Sequence, residues 1–163
     1  MKKLILLFVS FALNGQVAIE KTQVDGSGIL DFPAGTTKGI ILPRVLNNEN
    51  MTNTESGTLV FDLATSKVKY FNGIWVDLSD KAGTNPENLN PGNDIADNRV
   101  IIGAASSSAN GVLVLESTNK ALILPKVENP VDNVKSPEAG MICYDPTAKL
   151  ICVYNGSEWF FWK

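Results

Sequence analysis

Along most of this chain, apolar residues come in short runs broken by Gly, Asn, Asp and Pro, and helical spacing is nearly absent after the first residues. That punctuation predicts short strands and tight turns, and so an all-β fold. The pattern also runs twice. GILDFPAGTTKGIILPRV, a variable stretch and GTLVFDLATSKVKYFNGIWVDL fill residues 28–78, and GVLVLESTNKALILPKV, a variable stretch and GMICYDPTAKLICVYNGSEWFFW fill residues 111–162. Pro43 recurs as Pro125, Val45 as Val127, Gly57 as Gly140, Asp62 as Asp145, Asn72-Gly73 as Asn155-Gly156, and Trp75 as Trp159. Two tandem β repeats follow, over residues 16–80 and 99–163. The polar stretch between them, residues 81–98 with Pro86 and Pro91, reads as a linker.

Each repeat divides in the same way. A short leading strand is expected at 16–19 and again at 99–103, then a strand at 28–32 and 111–116. A short strand ahead of the recurring proline covers 39–42 and 121–124, and polar excursions fill 46–56 and 128–139. A three-stranded antiparallel meander closes each unit. In the first copy, strands 58–62 and 67–71 flank a four-residue loop, and Asn72-Gly73 turns the chain into strand 74–78. Asn-Gly is a strong hairpin signal because both residues tolerate positive φ. The second copy has Asn155-Gly156-Ser157, one residue longer, which suits a loop with a bulge.

Residues 1–15 read differently. Lys2 and Lys3 precede an apolar run over residues 4–13, and Asn14-Gly15 follows without a second basic flank. This is the grammar of a secretory signal peptide cleaved after Gly15, and it is short for a membrane span. The expected location is outside the cytoplasm: cell surface, extracellular or periplasmic.

Composition narrows the function. The net charge is −3 and no Lys or Arg run occurs, so nucleic acid is not an expected partner. His is absent, which removes the commonest general base and transition-metal ligand. Asn90, Asn93, Asp94, Asp97 and Asn98 lack the spacing of an EF-hand loop and read as solvated linker. No cofactor or metal site is expected. A repeat without a repeated acid–base or thiol constellation points to a structural or binding module rather than an enzyme.

Two features carry candidate chemistry. If Asp145 pairs with Leu150 across the hairpin loop, the register brings Cys143 opposite Cys152. Their Cα atoms would then lie about 4.5–5.5 Å apart, within reach of a disulfide. An exported chain with two cysteines favours pairing, and two reduced strand cysteines are the alternative. The other feature is aromatic: Trp75, Trp159, Phe160, Phe161 and Trp162 are interface or ligand candidates. Alternation puts Phe160 and Trp162 on one face and Trp159 and Phe161 on the other, so the last strand is apolar on both sides. Burial against the first repeat, or against another chain, is weighed there against sugar stacking.

The motifs also resemble a known group. Lys38-Gly39, Leu42-Pro43-Arg44, Gly57 and Phe71-Asn72-Gly73-Ile74-Trp75 in the first copy, with Lys120, Leu124-Pro125-Lys126, Gly140, Tyr144-Asp145, Tyr154-Asn155-Gly156 and Trp159 in the second, are similar to a repeat of exported Bacteroidetes proteins and of phage tail-fibre-like proteins. The resemblance covers most of the mature chain. It implies a β-rich, adhesin-like or fibre-like surface protein, often oligomeric, with no catalytic residues to carry over. Ala121 stands where the pattern has Gly39 in the first copy. The expectation is an exported, non-enzymatic attachment or appendage protein. Its partners would be further copies of itself or envelope and surface proteins. The alternatives are a soluble carbohydrate-binding module with a glycan ligand, and an accessory subunit of an envelope complex.

Overall fold

The structure is a computed structural model that describes residues 15–86 and 99–163. All of the expected leader except Gly15 lies outside the described residues, as does the linker from 87 to 98 with its Asn and Asp residues. The first repeat contains strands β1 (Val17–Ala18), β2 (Gly28–Asp31), β3 (Ile40–Ile41), β4 (Arg44–Val45), β5 (Leu59–Asp62), β6 (Lys67–Phe71) and β7 (Trp75–Asp77). The second contains β8 (Val100–Ile102), β9 (Leu113–Leu115), β10 (Ala121–Leu122), β11 (Met141–Asp145), β12 (Leu150–Tyr154) and β13 (Trp159–Trp162). The protein is nearly all β.

Both closing meanders form where the turn residues direct them. In β5–β6–β7, Phe61 lies opposite Val68 and Tyr70 opposite Val76. In β11–β12–β13, Cys143 lies opposite Cys152 and Val153 opposite Phe160. The recurring Asp explains the tight four-residue loops. Asp62 accepts hydrogen bonds from the Ala64 N–H at 3.2 Å and the Thr65 hydroxyl at 2.6 Å. Asp145 accepts from the N–H groups of Thr147 and Ala148 at 2.9 and 3.1 Å. The same carboxylates tie down the polar excursions, through Asn48 N–H to Asp62 at 3.3 Å and Asn129 N–H to Asp145 at 3.1 Å. Each excursion folds into a single turn of helix, Asn48–Asn50 and Pro130–Asn133.

The pairings outside the meanders are largely parallel. β1 lies parallel to β2, β8 to β9 and β4 to β5. Two further pairings cross between the repeats. β10 lies parallel on the free side of β2, and β3 lies antiparallel on β11. With both edges occupied, all four residues of β2 are buried. Units this small are marginal alone, and the repeats share a core. Leu42, Phe61, Leu63 and Val68 pack with Ala139, Ile142 and Val153 from the other repeat. A second cluster, Val127, Val134, Met141, Cys143 and Cys152, belongs to the second repeat alone.

Candidate assembly surface

The candidate aromatic residues separate into packing roles. Trp75 on β7 sets its ring edge-on against Phe71 across the Asn-Gly turn, with centroids 5.2 Å apart. Trp159 on β13 packs on Tyr154, the residue equivalent to Phe71, at 5.3 Å. Phe160 points the other way and packs on the core shared by the repeats. On that same face, the Trp162 indole N–H donates to the Leu78 carbonyl of the first repeat at 2.6 Å. Phe161 is 47% exposed and Trp162 39%. The structure therefore brings Phe160 and Trp162 together against the first repeat, keeps Trp75 and Trp159 apart in separate hairpins, and leaves Phe161 outward.

Cys143 and Cys152 are fully buried and face each other on paired strands as free thiols. The Cys143 thiol is pushed up, first by its hydrogen bond with Cys152 and then by burial. The first repeat fills the equivalent place with charge. Lys69 Nζ lies 3.0 Å from Asp62 and donates to Asn48 Oδ1 at 2.9 Å. Burial pushes the Asp62 carboxyl up, but hydrogen bonds from Thr65 and Lys69 outweigh it and hold the group below its ordinary value. Asp31 on β2 is balanced in the same way. Burial opposes ionisation, while Lys21 Nζ at 2.5 Å and the N–H groups of Asp25 and Phe32 hold it low. Every carboxylate in these clusters is spent on turns and strands. Among the described residues, no group of three or more Cys, Asp or Glu is gathered to hold a metal.

Residues 81–86, expected as linker, run between the hairpin tips of the two repeats. The buried Asn155 donates its side-chain amide to the Lys81 carbonyl at 3.0 Å, and Asn85 donates to the Leu63 carbonyl at 3.0 Å. Gly83 passes so close to Asn155 that an added Cβ would sit 1.7 Å from its carbonyl oxygen, so only glycine fits.

The feature that sequence reasoning did not reach is a set of open sheet edges. Among the described residues, β9 has β8 on one side and no strand on the other, and the start of β5 has β6 on one side only. Val100, Val112 and Leu113 are exposed around the first of these edges. Unpaired edges with apolar side chains are sites where another chain can add a strand.

The model of the phage tail like trimerisation region matches residues 18–93 and 101–162, one segment on each repeat. The chain belongs to the phage tail like trimerisation region family. No curated protein matches it, and no solved structure does. Membership accounts for the tail-fibre-like character of the repeat and gives open strand edges a structural setting. A trimerisation region is a structural element, and the Asp, Lys and aromatic clusters of this family member hold turns and cores in keeping with that.

Proposed function

We propose that this protein is an exported, non-enzymatic homotrimer that forms a structural piece of a surface appendage or tail-like fibre, with attachment as its role. The observation that carries this reading is the match of the trimerisation family to both repeats. The open apolar edges of β9 and β5 support it, because strand addition between copies would cover them. The absence of His, and the use of the buried carboxylates in turns, support a role without catalysis. Lys2, Lys3 and the apolar run behind them support export. The disulfide between Cys143 and Cys152 belongs to the same reading, since the two face each other and an exported protein meets an oxidising compartment.

Light scattering on the mature protein tests the assembly. The expected mass is three times that of one chain, independent of dilution into the micromolar range. A single-chain mass at every concentration would refute the trimer. Adhesion assays with full-length surface-displayed protein then test attachment, and adhesion above that of cells displaying no such chain is the expected result.

A further inference from the structure

We propose that the open strand edges of one chain are filled by a reciprocal exchange with neighbouring copies, second repeat onto first and first repeat onto second. This rests on the homotrimer reading and specifies its contact. The two repeats use one short strand in two different ways. In the first repeat, β3 turns the peptide groups of Ile40 and Leu42 toward β11: Ile40 pairs with Ile142, and Leu42 N–H donates to the Gly140 carbonyl at 3.0 Å. Strand alternation points the peptide groups of Gly39 and Ile41 to the other side. Among the described residues that side has no strand beside it. In the second repeat the equivalent strand does the reverse. The N–H groups of Ala121 and Ile123 donate to Ser27 and Leu30 at 3.0 and 2.9 Å, and the peptide groups of Leu122 and Leu124 face outward. Each copy of the strand leaves open the side that its counterpart uses.

The receiving edges show the matching gaps. Val17 opposite Leu30 recurs as Val100 opposite Leu113, so β9 is the equivalent of β2 in position and register. β2 carries β10 on its far edge, and β9 carries no strand there among the described residues. The cost is visible in exposure: Leu30 is 2% exposed and Leu113 is 45%. β11 carries β3, which buries Met141 and Ile142. Their equivalents on the first repeat, Thr58 and Leu59, are only half-buried. Phe61 N–H donates away from β6, to the Pro43 carbonyl at 2.8 Å, so Leu59 two residues earlier points its N–H outward as well.

Moving each observed pairing to its equivalent position names the occupant. Leu122 of one copy lies antiparallel opposite Leu59 of the next, with Ile123 opposite Thr58. Ile40 lies parallel opposite Leu113 of the copy on the other side. The side chains are complementary across the first contact. A Cβ on Gly39 would meet the Met141 side chain at 2.5 Å and the Ile142 carbonyl oxygen at 2.8 Å. In the exchanged contact Ala121 brings that Cβ, and Thr58 replaces the methionine. A methyl gained on one strand faces a thioether lost from the other, and the exchanged strand must sit further from the Leu59 carbonyl than β3 sits from that of Ile142. The contact is head-to-tail, first repeat to second, and a head-to-tail contact closes into a ring where the rotation between copies is a third of a turn. Three chains would alternate first and second repeats around one ring.

Paired cysteines test the exchange in the full mature chain. Thr58→Cys with Ile123→Cys forms one variant, and Ile40→Cys with Leu113→Cys a second. Equal amounts of ordinary and ¹⁵N-labelled protein are unfolded together, refolded, oxidised and peptide-mapped. The expected result is a link between positions 58 and 123, and between 40 and 113, joining labelled to unlabelled chains. A wild-type trimer in which neither link forms, or in which both form only within one chain, would overturn the exchange and leave the trimer standing. A wild-type protein that is monomeric by light scattering would overturn both. Leu113→Lys provides a variant whose fold is safe, because that side chain is exposed in the single chain. It is expected to raise the concentration for half-assembly at least tenfold with an unchanged circular dichroism spectrum, and unchanged assembly would count against the exchange.

Discussion

Trp162, on the last strand, hydrogen-bonds the backbone of Leu78, 84 residues earlier, and so ties the end of the second repeat to the end of the first meander. Phe160 works on the same face by packing on the shared core. Removing residues 160–163 should therefore lower the melting temperature. Phe160→Ala alone should cost about 2 kcal/mol, a drop of about 4–8 °C for a domain of this size. Phe161→Ala, on the outward face, should change stability by less than about 0.5 kcal/mol. Calorimetry on the three variants separates packing from display. Unchanged stability with loss of glycan binding in a tryptophan-fluorescence titration would instead make the last strand a ligand platform.

The Lys69–Asp62 pair should be the most sensitive polar spot in the first repeat. Asp62→Ala removes the anchor of a hairpin loop and of an excursion, and leaves the buried Lys69 ammonium with only Asn48 and the more distant Asp77 carboxylate at 3.9 Å. The expected loss is about 3 kcal/mol or more. Asp145→Ala removes similar loop bonds but strands no buried cation, so its loss should be smaller. Chemical denaturation midpoints of the two variants check the order.

Acid should destabilise the protein in a defined window. Asp31 and Asp62 both have folded-state values below their ordinary ones, so the unfolded chain takes up their protons first. Their stabilisation is complete above the unfolded carboxylate value of about 4, and it is lost as pH falls through the lower folded values. Melting temperature should hold between about pH 7 and 5 and decline below about pH 4. Asp31→Asn should flatten that decline. A decline unaltered by this substitution would assign the acid response to other groups.

Non-reducing mass spectrometry of exported protein should find Cys143 joined to Cys152. The bridge encloses a short loop, so it should stabilise by no more than about 3 kcal/mol. In reduced, folded protein both thiols should resist alkylation, because they are buried and Cys143 is held protonated. Free thiols at both positions after oxidising export would show that the paired strands hold the sulfur atoms in unsuitable geometry.

Intact mass of protein from the envelope fraction should lack the residues through Gly15. Full-length protein confined to the cytoplasm would contradict export and, with it, the surface role.

The meanders were legible because local rules determine them: Asn72-Gly73, Asn155-Gly156 and the four-residue loops after Asp62 and Asp145 fix both turn and register. The cysteine register followed from the same loop spacing. The parallel pairs were not legible, because no turn connects β1 to β2 or β4 to β5 directly and two-residue strands leave no alternation to count. The exchange of β3 and β10 was hidden for another reason. Gly39 and Ala121 occupy one position of the repeat, and only the structure reveals that one meets Met141 while the other meets Gly28. The charge cluster around Lys69 went unread because an isolated lysine in a strand pattern looks like a solvent-facing residue.

The crossed strands set the order in which the chain can acquire its shape. Arg44 meets Ala139 across 95 residues, and β2 stays open along one edge until β10 has been made. Contacts this distant in sequence slow folding and postpone it until late in synthesis. The first half therefore cannot finish folding until the second has been made. The shared core closes only once both repeats are present.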